Sequence, residues 1–172
     1  MLKGMLPVLE KFQGIANIEL RFVSYTMHGP QEDLDNKRII CIREEQNDKL
    51  IDYLNCFASA DGTETGASGC ISKTGIDKSA LESCVSSADQ YMADDKALNT
   101  QYGVQGSPTN VLNGKETQIY PRSGEDVKKA VCALFDSPPA ECSETLESAN
   151  PSPGFGYTAT AASSGSGGGC GG

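Results

Sequence analysis

Apolar side chains at Leu2, Met5, Leu6, Leu9 and Phe12 recur at helical spacing and predict one helix face over residues 2–12, closed by Gln13-Gly14. Pro7 fits such a helix only near its first turn or as a kink. The period then changes. Ile18, Leu20 and Phe22 alternate with Glu19 and Arg21 and run on into Val23 and Tyr25, which predicts a strand over 18–25. From Pro30 to Tyr102 the spacing is helical again, with helices expected at 31–44, 47–57 and 77–101 and a loop rich in Gly, Ser, Thr and Ala from Ala58 to Gly69. Val111 and Leu112 predict a short strand, Asn113-Gly114 a hairpin turn, and Glu116 to Tyr120 an antiparallel return. Ser123 with Asp126 makes a capping-box pattern ahead of a last helix whose stripe is Val127, Ala130, Val131 and Leu134, and Pro138-Pro139 ends it. Residues 143–172 hold only Leu146, Phe155 and Tyr157 as large apolar side chains, too few to offset the entropy of ordering, so this Ser/Gly-rich segment is expected to be a disordered tail.

The order helix, strand, helical insertion, hairpin, helix belongs to the α/β class. It predicts one domain over residues 1–142, with its insertion at about 30–102, and a tail over 143–172. A chain of 172 residues with 38% apolar side chains supports one core of ordinary size. Its 23 acidic side chains outnumber 14 basic ones for a net charge of -9, which argues against nucleic acid and anionic membrane surfaces as partners. No apolar run approaches the ~20 residues a spanning helix needs, and no basic-then-apolar export signal opens the chain.

Cysteine is the residue type that changes the picture. There are seven: Cys41, Cys56, Cys70, Cys84, Cys132, Cys142 and Cys170. None stands two to four residues from another, as structural zinc sites usually require, so neither metal nor cofactor is expected and disulfides are the better account. Disulfides imply an oxidising compartment, so the full-length parent is expected to be extracytoplasmic or membrane-tethered. Cys170 lies third from the end, which excludes a prenylation box and leaves a tether, a crosslink or an idle thiol.

Two local motifs carry a resemblance. His28-Gly29, Glu32, Asn36 and Cys41 match the spacing of the signature in gamma-interferon-inducible lysosomal thiol reductases, although Thr26 and Asp33 stand where that signature has two further cysteines. Gly103-Val104-Gln105-Gly106-Ser107-Pro108-Thr109 resembles the cis-proline segment of DsbA-like proteins. Over about residues 1–142 the chain resembles the thioredoxin fold with a helical insertion, the DsbA-like variety, and most closely the extracytoplasmic DsbA-like domains of microbes. The resemblance implies a first strand and a Cys-Pro-containing motif ahead of the helix at 2–12. On that reading the first strand is missing and the chain is an N-terminally truncated form. Unpaired buried strand groups at ~1–3 kcal/mol each would then leave it poorly stable alone.

The implied activity is thiol-disulfide oxidoreduction or isomerisation on cysteine-containing polypeptides, or exchange with a redox partner protein. That chemistry needs a thiolate of lowered pKa at a helix N-terminus, and the chain has no Cys-x-x-Cys and no cysteine before Cys41. No catalytic residue is therefore assigned. By the same resemblance Pro108, in a cis bond, presents the backbone of Ser107 or Thr109 to an extended substrate. His28, the only histidine, is read as a turn residue, and Glu32 and Asn36 share a helix face in structural service. Six cysteines allow fifteen pairings. If the first two insertion helices run antiparallel, Cys41 and Cys56 lie at opposite ends, which disfavours pairing them with each other; the set then expected is Cys56 with Cys70 closing the loop, Cys41 with Cys84 tying the first insertion helix to the third, and Cys132 with Cys142, which the resemblance implies as a pair. The rival function is a redox-inert peptide-binding module with every cysteine structural, and a third is a surface module tethered through Cys170.

Overall fold

Among the described residues, 2–23 and 29–157 of the computed structural model, the helical periods become seven α-helices and the hairpin a two-stranded sheet, a mixed but mostly helical architecture. They are α1 (Leu2–Lys11), α2 (Pro30–Glu45), α3 (Leu50–Ser59), α4 (Glu64–Lys73), α5 (Lys78–Ser86), α6 (Asp89–Gln101), β1 (Val111–Leu112), β2 (Lys115–Glu116) and α7 (Gly124–Cys132). Short 3-10 turns precede α3 at Asn47–Lys49 and follow α7 at Ala140–Ser143. No helix among these residues is long and apolar enough to cross a membrane.

Helix α1 is buried on two sides. Leu6 and Leu9 join the larger core, built from α2, α3, α4 and α5, while Val8 and Phe12 join a smaller one with Ile119, Val127 and Val131. The single apolar face expected from Leu2, Met5, Leu6, Leu9 and Phe12 is therefore split, with Val8 added. Pro7 lies inside α1, where it removes a backbone donor, and packing on both sides offsets that loss. Gly4 is required by close approach, since a Cβ there would overlap the carbonyl of Arg122. Leu134, expected in the stripe of α7, lies past the helix end and is exposed, while Val127 and Val131 are buried.

Several sequence expectations change, among them the antiparallel return expected from Glu116 to Tyr120, which is strand only at Lys115–Glu116. The loop predicted from Ala58 to Gly69 holds the end of α3 and, from Glu64, the first half of helix α4: Thr63 caps it by accepting the Gly66 N–H at 3.1 Å, and Ala67, Cys70 and Ile71 are buried. Its small residues carry little apolar periodicity, which hid the helix. The helix expected over 77–101 is two, α5 capped by Asp77 and α6, with a break at Ser87-Ala88. Residues 18–23 form no strand ladder; Tyr25 lies outside the described residues. Ile18, Leu20 and Phe22 still pack together against the larger core, so the alternation is right and only the partner strand is absent among the described residues.

The segment read as a disordered tail is held against the domain as far as Tyr157. Lys11 pairs with Glu144 at 2.5 Å, and Glu125 joins both Leu146 and Glu147 through hydrogen bonds of 2.9 and 3.0 Å. Lys3 donates to the Gly156 carbonyl at 2.8 Å, and Phe155 meets Phe57 with ring centroids 5.0 Å apart. Residues 158–172, with Cys170, lie outside the described residues.

Tyr53 on α3 is fully buried, stacks on Phe57 at 5.7 Å, and its hydroxyl has no hydrogen-bond partner among the described residues. Burial, followed by the negative charge of Asp35, pushes its pKa up from the ordinary 10.0 to about 12. Nearby, Arg38 ties α2 to α4 by bonding Glu64 at 2.7 Å and holds that carboxyl down to about 2. A buried hydroxyl without a partner costs about 1–3 kcal/mol, so Tyr53→Phe is expected to stabilise the fold by about 1 kcal/mol and raise Tm by about 2–4 °C. Above pH 10 the unfolded tyrosine loses its proton first while the folded one keeps it, so the folded state binds more protons and stability falls from pH 10 towards 12. Thermal scans across that window are expected to show a shallower decline for Tyr53→Phe than for the parent; an equal slope would contradict this placement.

Candidate functional site

The loop that follows α6 is shaped by Gly103, whose φ of +66° ends the helix, and by Val104, whose N–H donates to the Asn99 carbonyl at 2.9 Å. The Ser107-Pro108 bond is cis. Thr109 Oγ1 donates to the Gly106 carbonyl at 2.7 Å and closes the loop, leaving Ser107 and Pro108 exposed and Thr109 half-buried. The hairpin turns on Asn113 and Gly114 with φ of +46° and +79°, the two positive values a type I′ turn demands. Tyr120-Pro121 is also cis, and only ordinary turn chemistry marks it in the sequence.

Register decides which backbone groups this loop offers. Leu112 pairs with Lys115, and the Thr117 N–H donates to the Asn110 carbonyl at 2.8 Å, so residues 110 and 112 turn their peptide groups towards β2. By alternation, Thr109 and Val111 turn theirs away from the hairpin, and no second strand pairs with that edge among the described residues. Two of the three residues expected to bind substrate, Ser107 and Pro108, thus stand exposed at the entrance to this edge, and the third, Thr109, belongs to it.

All six cysteines considered for disulfides are bonded. Cys41 joins Cys84, Cys56 joins Cys70 and Cys132 joins Cys142, with Cα separations of 5.9, 5.6 and 5.8 Å. The first ties α2 to α5 and is buried; the second ties α3 to α4; the third staples α7 to the 3-10 turn after it. The five in α-helices all lie beyond the first turn, where dipole and free amides would favour a thiolate, and Cys142 lies in the short 3-10 turn. Glu32 and Asn36 stand one turn apart on α2, and His28 lies outside the described residues. No group of three or more His, Cys, Asp or Glu is placed to hold a metal among the described residues.

The sequence reading missed a buried ionic centre. Asp95 of α6 is wholly buried and accepts two bonds of 3.0 Å from Arg43, one of 3.0 Å from Arg21 and one of 2.9 Å from the Phe22 N–H. Arg43 also donates to the Leu20 carbonyl at 2.7 Å, and Asn99 to the Phe22 carbonyl at 2.8 Å. Side chains thereby occupy one edge of the extended segment 18–23, as a neighbouring strand would. Its other edge carries the groups of Glu19, Arg21 and Val23, which are exposed or half-buried. The one signal was Arg43 directly after the apolar run Ile39–Ile42. No protein-family model matches this chain, and neither a curated protein nor a solved structure does.

Proposed function

We propose that this chain is a thioredoxin-like domain of the DsbA-like, thiol-disulfide oxidoreductase type, working outside the cytoplasm. Its described residues bind extended cysteine-containing polypeptides rather than exchange disulfides with them. The observation that carries the reading is the outward peptide edge of Thr109 and Val111, entered through the exposed Ser107-Pro108 turn. An extended chain adds to such an edge by backbone hydrogen bonds, largely regardless of its side chains, which suits a protein that handles many unfolded polypeptides. Three disulfides support an oxidising compartment. Two findings favour binding over exchange: the six cysteines are bonded to one another, and none occupies an α-helix N-terminus.

The test is affinity for a reduced, alkylated, permanently unfolded cysteine-containing polypeptide, measured by fluorescence anisotropy. Val111→Pro removes an outward N–H while keeping an extended backbone, and is expected to weaken binding about tenfold. Equal affinity of the variant and the parent would contradict the reading.

A further inference from the structure

We propose that the Cys132–Cys142 disulfide is a redox latch: a dithiol that reduces it releases residues 144–147 from helices α1 and α7 and uncovers Lys128. Past Cys142 the chain runs back over the domain as a strap. Glu144 pairs with Lys11 and takes the Lys128 ammonium on its carbonyl, the Leu146 N–H donates to Glu125 at 2.9 Å, and the Glu125 N–H donates to the Glu147 carbonyl at 3.0 Å. Lys128 is the one buried lysine among the described residues, at 4% exposure, and it bonds Glu125 beneath the strap. Within 143–150 only Leu146 is even half-buried, so this seat rests on a few solvent-facing polar bonds and opens at little cost in buried surface.

What keeps so thin a seat filled is the point from which the strap starts. The bond pins Cys142 to the end of α7, two residues before Glu144, so the free tether to the seat is very short. Once the bond opens, the tether begins at Cys132 and includes residues 133–139, which are irregular and largely exposed. For a loop of sequence separation 10 the entropy of closure corresponds to about a hundredfold in the docked population. Phe135 stacked on Phe12 and the Cys142 N–H on the Pro139 carbonyl keep part of that order, so a loss of about tenfold or more is expected. The far end of the strap is a separate seat, with Phe155 on Phe57 and the Tyr157 N–H on the Ala58 carbonyl. Opening the bond less than doubles the free tether to Tyr157, which weakens that seat only about twofold. Access favours this bond as the latch, because it alone of the three has both cysteines half-buried rather than buried. A thiolate of the dithiol attacks one sulfur, forms a mixed disulfide and expels the other sulfur as thiolate; the second thiol then closes the dithiol's own disulfide. Two electrons thus pass from the dithiol to the cysteine pair, and the two protons it gives up end on Cys132 and Cys142.

The full chain is titrated with dithiothreitol to the first disulfide that opens, and amide hydrogen exchange is followed by NMR; a Cys132→Ala, Cys142→Ala double variant supplies the opened state without reductant. Exchange at Leu146 and Glu125 is expected to quicken about tenfold or more and that at Tyr157 about twofold, with both reverting on reoxidation. Acylation of Lys128 by a small active ester is expected to rise about tenfold relative to the exposed Lys129. The quickened exchange is expected to be nearly independent of urea below the unfolding transition, because opening the seat exposes little surface. Unchanged exchange at Leu146 and Glu125 in the opened protein overturns the proposal. So does quickening with the urea slope of global unfolding, which would make the bond a staple of the whole fold. Equal quickening at Leu146 and Tyr157 overturns it as well, and so does the opening of another disulfide first.

Discussion

Asp95→Ala is expected to cost about 3–5 kcal/mol of folding stability, the scale for breaking a buried ion pair and leaving its partner charged. The carboxylate has no exposure, and its removal strands the Arg43 guanidinium, itself buried, together with the Phe22 N–H. Arg43 would keep only its bonds to Glu44 and to the Leu20 carbonyl. Asp95→Asn keeps the shape and loses the charge, so it is expected to fall between parent and alanine variant. Replacing Asp95 and Arg43 together by leucines removes both charges and is expected to recover part of the loss, because neither desolvated ion is then left alone. Urea denaturation of the parent and these three variants checks the order. A loss under about 1 kcal/mol for Asp95→Ala would mean that the centre is not desolvated.

Removing the Cys41–Cys84 bond by paired alanine substitution is expected to cost about 4 kcal/mol, more than either other disulfide. The bond closes a loop with a sequence separation of 43, against 14 for Cys56–Cys70 and 10 for Cys132–Cys142. The chain entropy released in the unfolded state grows with the logarithm of that length, which puts the two shorter loops near ~3 kcal/mol each. Cys41 and Cys84 are also buried in the larger core, while Cys132 and Cys142 are half-buried at its margin. Mild reductant is therefore expected to open Cys132–Cys142 before Cys41–Cys84, which mass spectrometry of alkylated peptides will order. Opening of Cys41–Cys84 first would contradict the packing described.

Much of this was legible in the chain, and the exceptions share a physical cause. Helices α1, α2 and α7, the Asn113-Gly114 hairpin and the Ser123 cap declare themselves through local period and local hydrogen bonding. Helix α4 does not, because its buried stripe is only Ala67, Cys70 and Ile71, short and built mostly of small residues within a Gly/Ser/Thr-rich stretch, and its cap and disulfide do the rest. The segment 18–23 has the period of a strand, yet strand assignment depends on a neighbour that no local pattern encodes. Residues 143–157 look disordered by composition, and their order comes from individual contacts such as Phe155 on Phe57 and Lys3 on Gly156. Asp95 is the clearest case. Nothing adjacent in sequence distinguishes it from Asp94, and only the fold brings Arg21, Arg43 and the Phe22 N–H to it. At the candidate binding loop, Ser107, Pro108 and Thr109 were visible as a motif, whereas the direction of their backbone groups follows from a register that only the structure supplies.

The most direct test of the polypeptide-binding account is amide hydrogen exchange at Thr109 and Val111, measured with and without the reduced, alkylated unfolded polypeptide. The account predicts slowed exchange at both amides on binding, with Leu112, already committed to the hairpin, unchanged. Unaltered exchange at Thr109 and Val111 under saturating polypeptide would contradict it.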